Sequence, residues 1–110
     1  MALPHRRLDI MKYEMMFIIR ALDEAKVNDA IDRVLGYVKE IGSVLMVDKW
    51  GKRRLAYQIK GETVCYYVVV TFESEFDRVG ELDKNMYEPD EVIRHMITWP
   101  GGEIMGKDKI

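Results

Sequence analysis

The sequence predicts an α+β fold of ferredoxin-like type: a βαββαβ chain whose four-stranded antiparallel sheet carries two helices on one face. Two observations predict it. Apolar residues recur with strand or helix spacing in the order strand, helix, strand, strand, helix, strand. At 110 residues the chain suits one hydrophobic core and is too short for two.

Lys12 to Ile19 places Tyr13, Met15, Phe17 and Ile19 on one side and Met16 and Ile18 on the other, as in a central strand apolar on both faces. Asp23 follows as a helix N-cap, because its carboxylate can accept from the unbonded N–H groups of a first turn. Val27, Ile31, Val34, Val38 and Ile41 then advance by fours and threes along one helix face. Gly42 is expected to end that helix in the left-handed conformation, and Gly36 within it is a modest cost. Ser43 to Lys49 and Leu55 to Ile59 are extended, and Trp50-Gly51-Lys52-Arg53-Arg54 between them reads as a bulge in one long strand.

Gly61-Glu62-Thr63 turns the chain into Val64 to Phe72, the stretch richest in β-branched and aromatic residues. Ser74 and Asp77 have capping-box spacing, and Phe76, Val79, Leu82 and Met86 continue at helical spacing until Pro89. Val92 to Thr98 is the last strand. Residues 1–10 read as a flexible extension, 11–99 as the domain, and 100–110 as a short tail without structure. One sheet face is left without helices, which makes Met16, Ile18 and part of Val64 to Phe72 a surface for a protein partner or a second copy.

No apolar run approaches the roughly 18–20 residues of a membrane span, and the basic pair near the N-terminus lacks the apolar core of a secretory signal. The expected location is the cytosol. Cys65, the single cysteine, sits in an apolar run and reads as a packed thiol in a reducing compartment. His95 has no second His or Cys at ligand spacing and reads as a structural histidine, not a metal ligand. No nucleophile motif or phosphate loop is present, and Arg20-Ala21-Leu22-Asp23 lacks the glycines of an acylphosphatase-like anion cradle. The echo of an RNA-recognition motif in Tyr67 to Phe72 lacks its leading basic residue and glycine, replaced by Cys65 and Tyr66.

The net charge of -2 is distributed in two poles. Asp48 to Lys60 interleaves Lys49, Lys52, Arg53, Arg54 and Lys60 with Trp50 and Tyr57, a composition suited to RNA: cations for phosphates, aromatics for unpaired bases. It equally suits a charged edge strand that resists edge pairing, with both aromatics in the core. Glu73 to Glu91 is predominantly acidic, which suits a solvated helix face or a basic protein partner. A regulatory domain binding a small ligand between two copies is the alternative for this fold class.

The segments Tyr13-Glu14, Phe17-Ile18-Ile19-Arg20, Val47 to Ile59 with its Trp50-Gly51-Lys52-Arg53-Arg54-Leu55-Ala56-Tyr57 centre, Glu81-Leu82-Asp83-Lys84-Asn85 and Val92-Ile93-Arg94-His95-Met96 stand in a familiar order and spacing. Across Met11 to Thr98 the chain resembles the bacterial small-subunit ribosomal protein six family. The resemblance implies a structural constituent of the small ribosomal subunit, not an enzyme, with no cofactor, metal or small-molecule substrate. It further implies binding to small-subunit ribosomal RNA together with the small basic ribosomal protein eighteen, in ribosomes of bacterial type, cytoplasmic or, as the alternative, of organellar origin. By that likeness the RNA or partner contacts are Lys49, Lys52, Arg53, Arg54 and Arg94; Trp50 and Tyr57 join them on composition, and Arg6 and Arg7, in the extension ahead of the family's usual start, are candidate auxiliary RNA contacts. The family usually has proline where Gln58 stands and commonly begins near Met11.

Overall fold

In the computed structural model, which describes residues 10–20, 23–59, 61–99 and 102–108, the periodicities resolve into eight elements. They are β1 (Ile10–Arg20), α1 (Glu24–Ile41), β2 (Gly42–Ile59), β3 (Glu62–Glu75), a 3-10 turn (Phe76–Arg78), α2 (Val79–Asn85), β4 (Val92–Trp99) and β5 (Gly102–Asp108). The strands form one antiparallel sheet in the order β2-β3-β1-β4-β5. The first four strands and two helices make the expected ferredoxin-like frame. The fifth strand corrects the expectation of an unstructured tail: it pairs along β4 from Trp99↔Gly102 to Arg94↔Asp108. The unpaired N–H and C=O groups of an edge strand attract a further strand whatever its side chains, so apolar alternation was a poor guide there.

Burial follows the central strands. Tyr13, Met15, Phe17 and Ile19 of β1 lie beside Val68, Val70 and Phe72 of β3 beneath Val27, Ile31, Val34, Val38 and Leu82 of the helices. Each such side chain removed from water contributes roughly 1.5–3 kcal/mol, which is why the helices are held to this face. The rings of Tyr13 and Phe72 stack at 5.5 Å between centroids. A smaller cluster on the opposite face joins Ile18, Leu55, Cys65 and Ile93, with Tyr67 packed against it, so Cys65 is a buried packing thiol.

The start of α1 is as read: Asp23 accepts from the Lys26 N–H at 2.9 Å. Its end is not. Gly42 is extended, with φ 179°, and a Cβ placed there would lie 1.9 Å from the Glu73 carbonyl oxygen. The glycine is required by close approach of two backbones, not by a left-handed cap. Ser74 likewise does not cap the second helix. It belongs to β3, and its buried hydroxyl donates to the Ile41 carbonyl at 2.9 Å, satisfying one of the acceptors that a helix end leaves open. Phe76, expected on the buried helix face, is 54% exposed in the 3-10 turn, and Val79, Leu82 and Met86 supply the buried face.

Two measurements follow from this packing. Gly42→Ala should lower stability to chemical denaturation by about 2 kcal/mol or more, because backbone must move to admit the methyl. Gly36→Ala, with nothing within 4 Å of its added Cβ, should raise it by about 0.5–1 kcal/mol. Burial pushes the Tyr13 phenol above its ordinary value of 10.0, and its hydroxyl has no partner among the described residues. The folded state then holds that proton more tightly than the unfolded one, so this contribution is intact below pH 10 and is lost as pH rises through the folded value. Tyr13→Phe should change stability at neutral pH by less than about 1 kcal/mol and lessen the alkaline loss, as read from denaturant midpoints across pH.

Candidate nucleic-acid interface

Successive residues of a strand face opposite sides of its sheet, and an inserted residue reverses the assignment of all that follow. In β2 the pairing runs Lys49↔Val68 and then Gly51↔Tyr67, Lys52↔Tyr66, Arg53↔Cys65 and Arg54↔Val64, leaving Trp50 as the extra residue. Gly51 takes φ 83°, a conformation that other residues enter only with strain. The bulge is therefore where the sequence placed it, within one continuous strand. Its consequence was not legible: Lys49 and Lys52 share the helix side, while Trp50 and Arg53 share the open side.

Trp50 lies 45% exposed on the open side. Its indole is parallel to the Tyr67 ring, at 6° and 6.4 Å, its Nε1 donates to Asp48 Oδ2 at 3.0 Å, and the Arg53 guanidinium sits 5.7 Å from the ring centre. It is neither a core residue nor an unencumbered platform, since an incoming base competes with Tyr67 and Arg53. On the helix side, Lys52 Nζ stands 5.8 Å from the Tyr66 ring centre. Arg54, the neighbour of Arg53, is exposed. Arg94 pairs with Ile18 on β4, with β3 and β1 between it and β2, so it does not join the basic segment. Tyr57 belongs to β2, but its side chain, like Arg6 and Arg7, lies outside the described residues.

Two concavities flank β2. On the open face Met16, Met46, Trp50, Val69 and Met96 form a groove of about 260 Å³ bordered by Glu14, Asp48 and Thr98. Met46 and Met96 were missed as surface residues: Met96 pairs directly with Met16, whereas Met46 reaches the same face only after a register shift in β2. On the other face a cleft of about 330 Å³ opens between α1 and the β2–β3 ladder, lined by Glu24, Val27, Asn28, Ile31, Lys49 and Tyr66 among others. No single segment of sequence carries that lining.

His95 is buried in β4, and its Nε2 lies 2.7 Å from Asp83 Oδ1 with the Tyr87 ring edge-on at 5.0 Å. It is a structural histidine held by α2, although its Nδ1 has no partner among the described residues. Among those residues no three His, Cys, Asp or Glu side chains are grouped to hold a metal, and no helix is long and apolar enough to cross a membrane.

The model of the family described as ribosomal protein S6 matches residues 12–98. The chain is similar to small ribosomal subunit protein bS6 of Alkaliphilus oremlandii, 42% identical over 87 residues that cover 78% of this chain and 93% of that one. A similar match is to bS6 of Carboxydothermus hydrogenoformans, 40% identical over 88 residues, covering 78% of this chain and 92% of that one. Among solved structures, 30S ribosomal protein S6 of Thermotoga maritima superimposes with a TM-score of 0.76 at 28% identity, covering 80% of this chain and 85% of that one.

The Asp83–His95 contact can be tested by unfolding alone. Asp83→Ala leaves a buried ring nitrogen without its acceptor and should cost about 1–3 kcal/mol in urea unfolding, whereas Asp83→Asn retains an acceptor and should cost less.

Proposed function

The chain belongs to the ribosomal protein S6 family, structural components of the small ribosomal subunit and not enzymes, and we propose that it binds small-subunit ribosomal RNA jointly with the small basic ribosomal protein eighteen. The observation that carries this reading is the family match across 12–98, which contains the whole bulged segment with its cations. Lys49, Lys52 and Arg54 neutralise phosphates and set the position of the protein on RNA, while Arg53, on the open side with Trp50, contacts RNA or the partner at the border of the two surfaces. Arg94 lies apart from them and serves the partner face, while Arg6 and Arg7 add phosphate contacts from the N-terminus.

The open face is the docking surface for the protein partner. Methionine side chains adapt to an irregular apolar surface, and Met16, Met46 and Met96 lie between β2 and β4 with Trp50 and Val69. Glu14 and Asp48 at its margin disfavour phosphate and favour a basic protein. The net charge of -2 agrees with this division: the partner supplies positive charge that the chain lacks, so RNA affinity is weak alone and rises when both bind.

Sedimentation of the tagged protein from cell extract at physiological salt should place it with small ribosomal subunits; a homodimer remaining at the top of the gradient would remove the ribosomal role. Changing Lys52, Arg53 and Arg54 together to Ala should weaken assembly with RNA and partner and flatten its salt dependence, and an unchanged slope would take these residues off the phosphates.

A further inference from the structure

The cations of β2 do not all point toward the face assigned to the protein partner. The insertion at Trp50 turns Lys52 to the helix side, where Lys49 stands, and Lys49 lines the cleft between α1 and the β2–β3 ladder. Lys52 reaches over Tyr66, which lines the same cleft. Glu24 and Asn28, one helical turn apart on α1, form a polar wall, and Ile31 belongs to the apolar floor. The volume of about 330 Å³ falls in the range of roughly 300–1,000 Å³ typical of sites for small ligands.

The cleft and its margin offer three things together: an apolar and aromatic surface for a flat ring, donors and acceptors for its edge, and cations for an attached anion, Lys49 in the lining and Lys52 beside it over Tyr66. Resting on the ribosomal reading above, we propose that the cleft receives one unpaired nucleotide of the bound RNA, with its phosphate held by Lys49 and Lys52. The base lies along Tyr66 and the apolar floor. The Asn28 amide both donates and accepts along a base edge, and the Glu24 carboxylate accepts from a base N–H group or a ribose 2′-hydroxyl. The open-face groove is the poorer site for such a ligand, because two carboxylates, Glu14 and Asp48, border it and none of its described lining residues is a cation, whereas Lys49 lines the cleft.

The test measures RNA affinity against salt for the full chain assembled with its protein partner on small-subunit RNA. Asn28→Trp fills the cleft from an exposed helix position, Lys49→Gln with Lys52→Gln removes its cations, and Lys39→Gln in the last turn of α1 is the charge control. Asn28→Trp and the lysine pair should each weaken binding about tenfold. The pair should also lower the salt slope by about 0.7–1, and Lys39→Gln should change neither. Unchanged affinity and slope in both cleft variants, with the chain still sedimenting with small subunits, would overturn the nucleotide site and leave the ribosomal role standing. Loss of that sedimentation in the unaltered chain would overturn both. Adenosine 5′-monophosphate titrated into the isolated chain separates the sources: micromolar binding abolished by Asn28→Trp, with RNA affinity unchanged, would make this a free-nucleotide site and overturn the proposal.

Discussion

One residue inserted in β2, Trp50, determines the side of the sheet on which the basic residues that follow it, Lys52 to Arg54, act. Without it, strand alternation from Lys49 would put Lys52 on the open side and Arg53 on the helix side. With it, Lys49 and Lys52 come together beside α1, Arg53 joins Trp50 on the open face, and Leu55 reaches the cluster of Ile18, Cys65 and Ile93. The bulge depends in turn on a conformation at Gly51 that a side chain would strain. Local backbone geometry thus sorts a contiguous run of charge into two surfaces of different chemistry.

On the function proposed above, those surfaces reconcile an acidic chain with RNA contact. Phosphate attraction depends on local cations, not on the sum over the chain, and screening limits its reach to about 8–10 Å at ordinary salt. The acids of Glu73 to Glu91 begin at the far end of β3, since Glu73 pairs with Ser43 and Lys12 whereas Cys65 pairs with Arg53 and Arg20. The ladder itself therefore separates the poles by several residues of extended chain, at roughly 3.3 Å each. The methionine groove runs across the open face from β2 to β4, where a protein surface can cover it without crossing the cleft beside α1.

The frame was legible because burial imposes periodicity. The core side of β1 and the stripe Val27 to Ile41 are readable from spacing alone, and Asp23 caps α1 as its side-chain chemistry predicts. Misreadings occurred where a local motif competes with a contact distant in sequence. Ser74 has the spacing of a cap, but the ladder runs on through Glu75 and its hydroxyl meets the Ile41 carbonyl. Gly42 stands where helix-ending glycines stand, but its conformation is ordinary and its need is space against Glu73. The candidate site was half legible: the cations of Asp48 to Lys60 announce themselves by composition, whereas Glu24, Asn28 and Tyr66 join them only through packing.

The sequence by itself determined the order of elements, the buried stripes, the family and the concentration of positive charge in one strand. The elements and stripes follow from short-range rules, namely side-chain alternation, helical spacing, and residue types suited to caps and bulges, whereas the family follows from the resemblance of whole segments. The tertiary structure decided which cations share a face, that β4 carries a further strand along its edge, and that Arg94 stands apart from Lys49 to Arg54. The physical reason is that sidedness and adjacency depend on pairing register. Register is settled by contacts between residues far apart in the chain, and one extra residue reverses it.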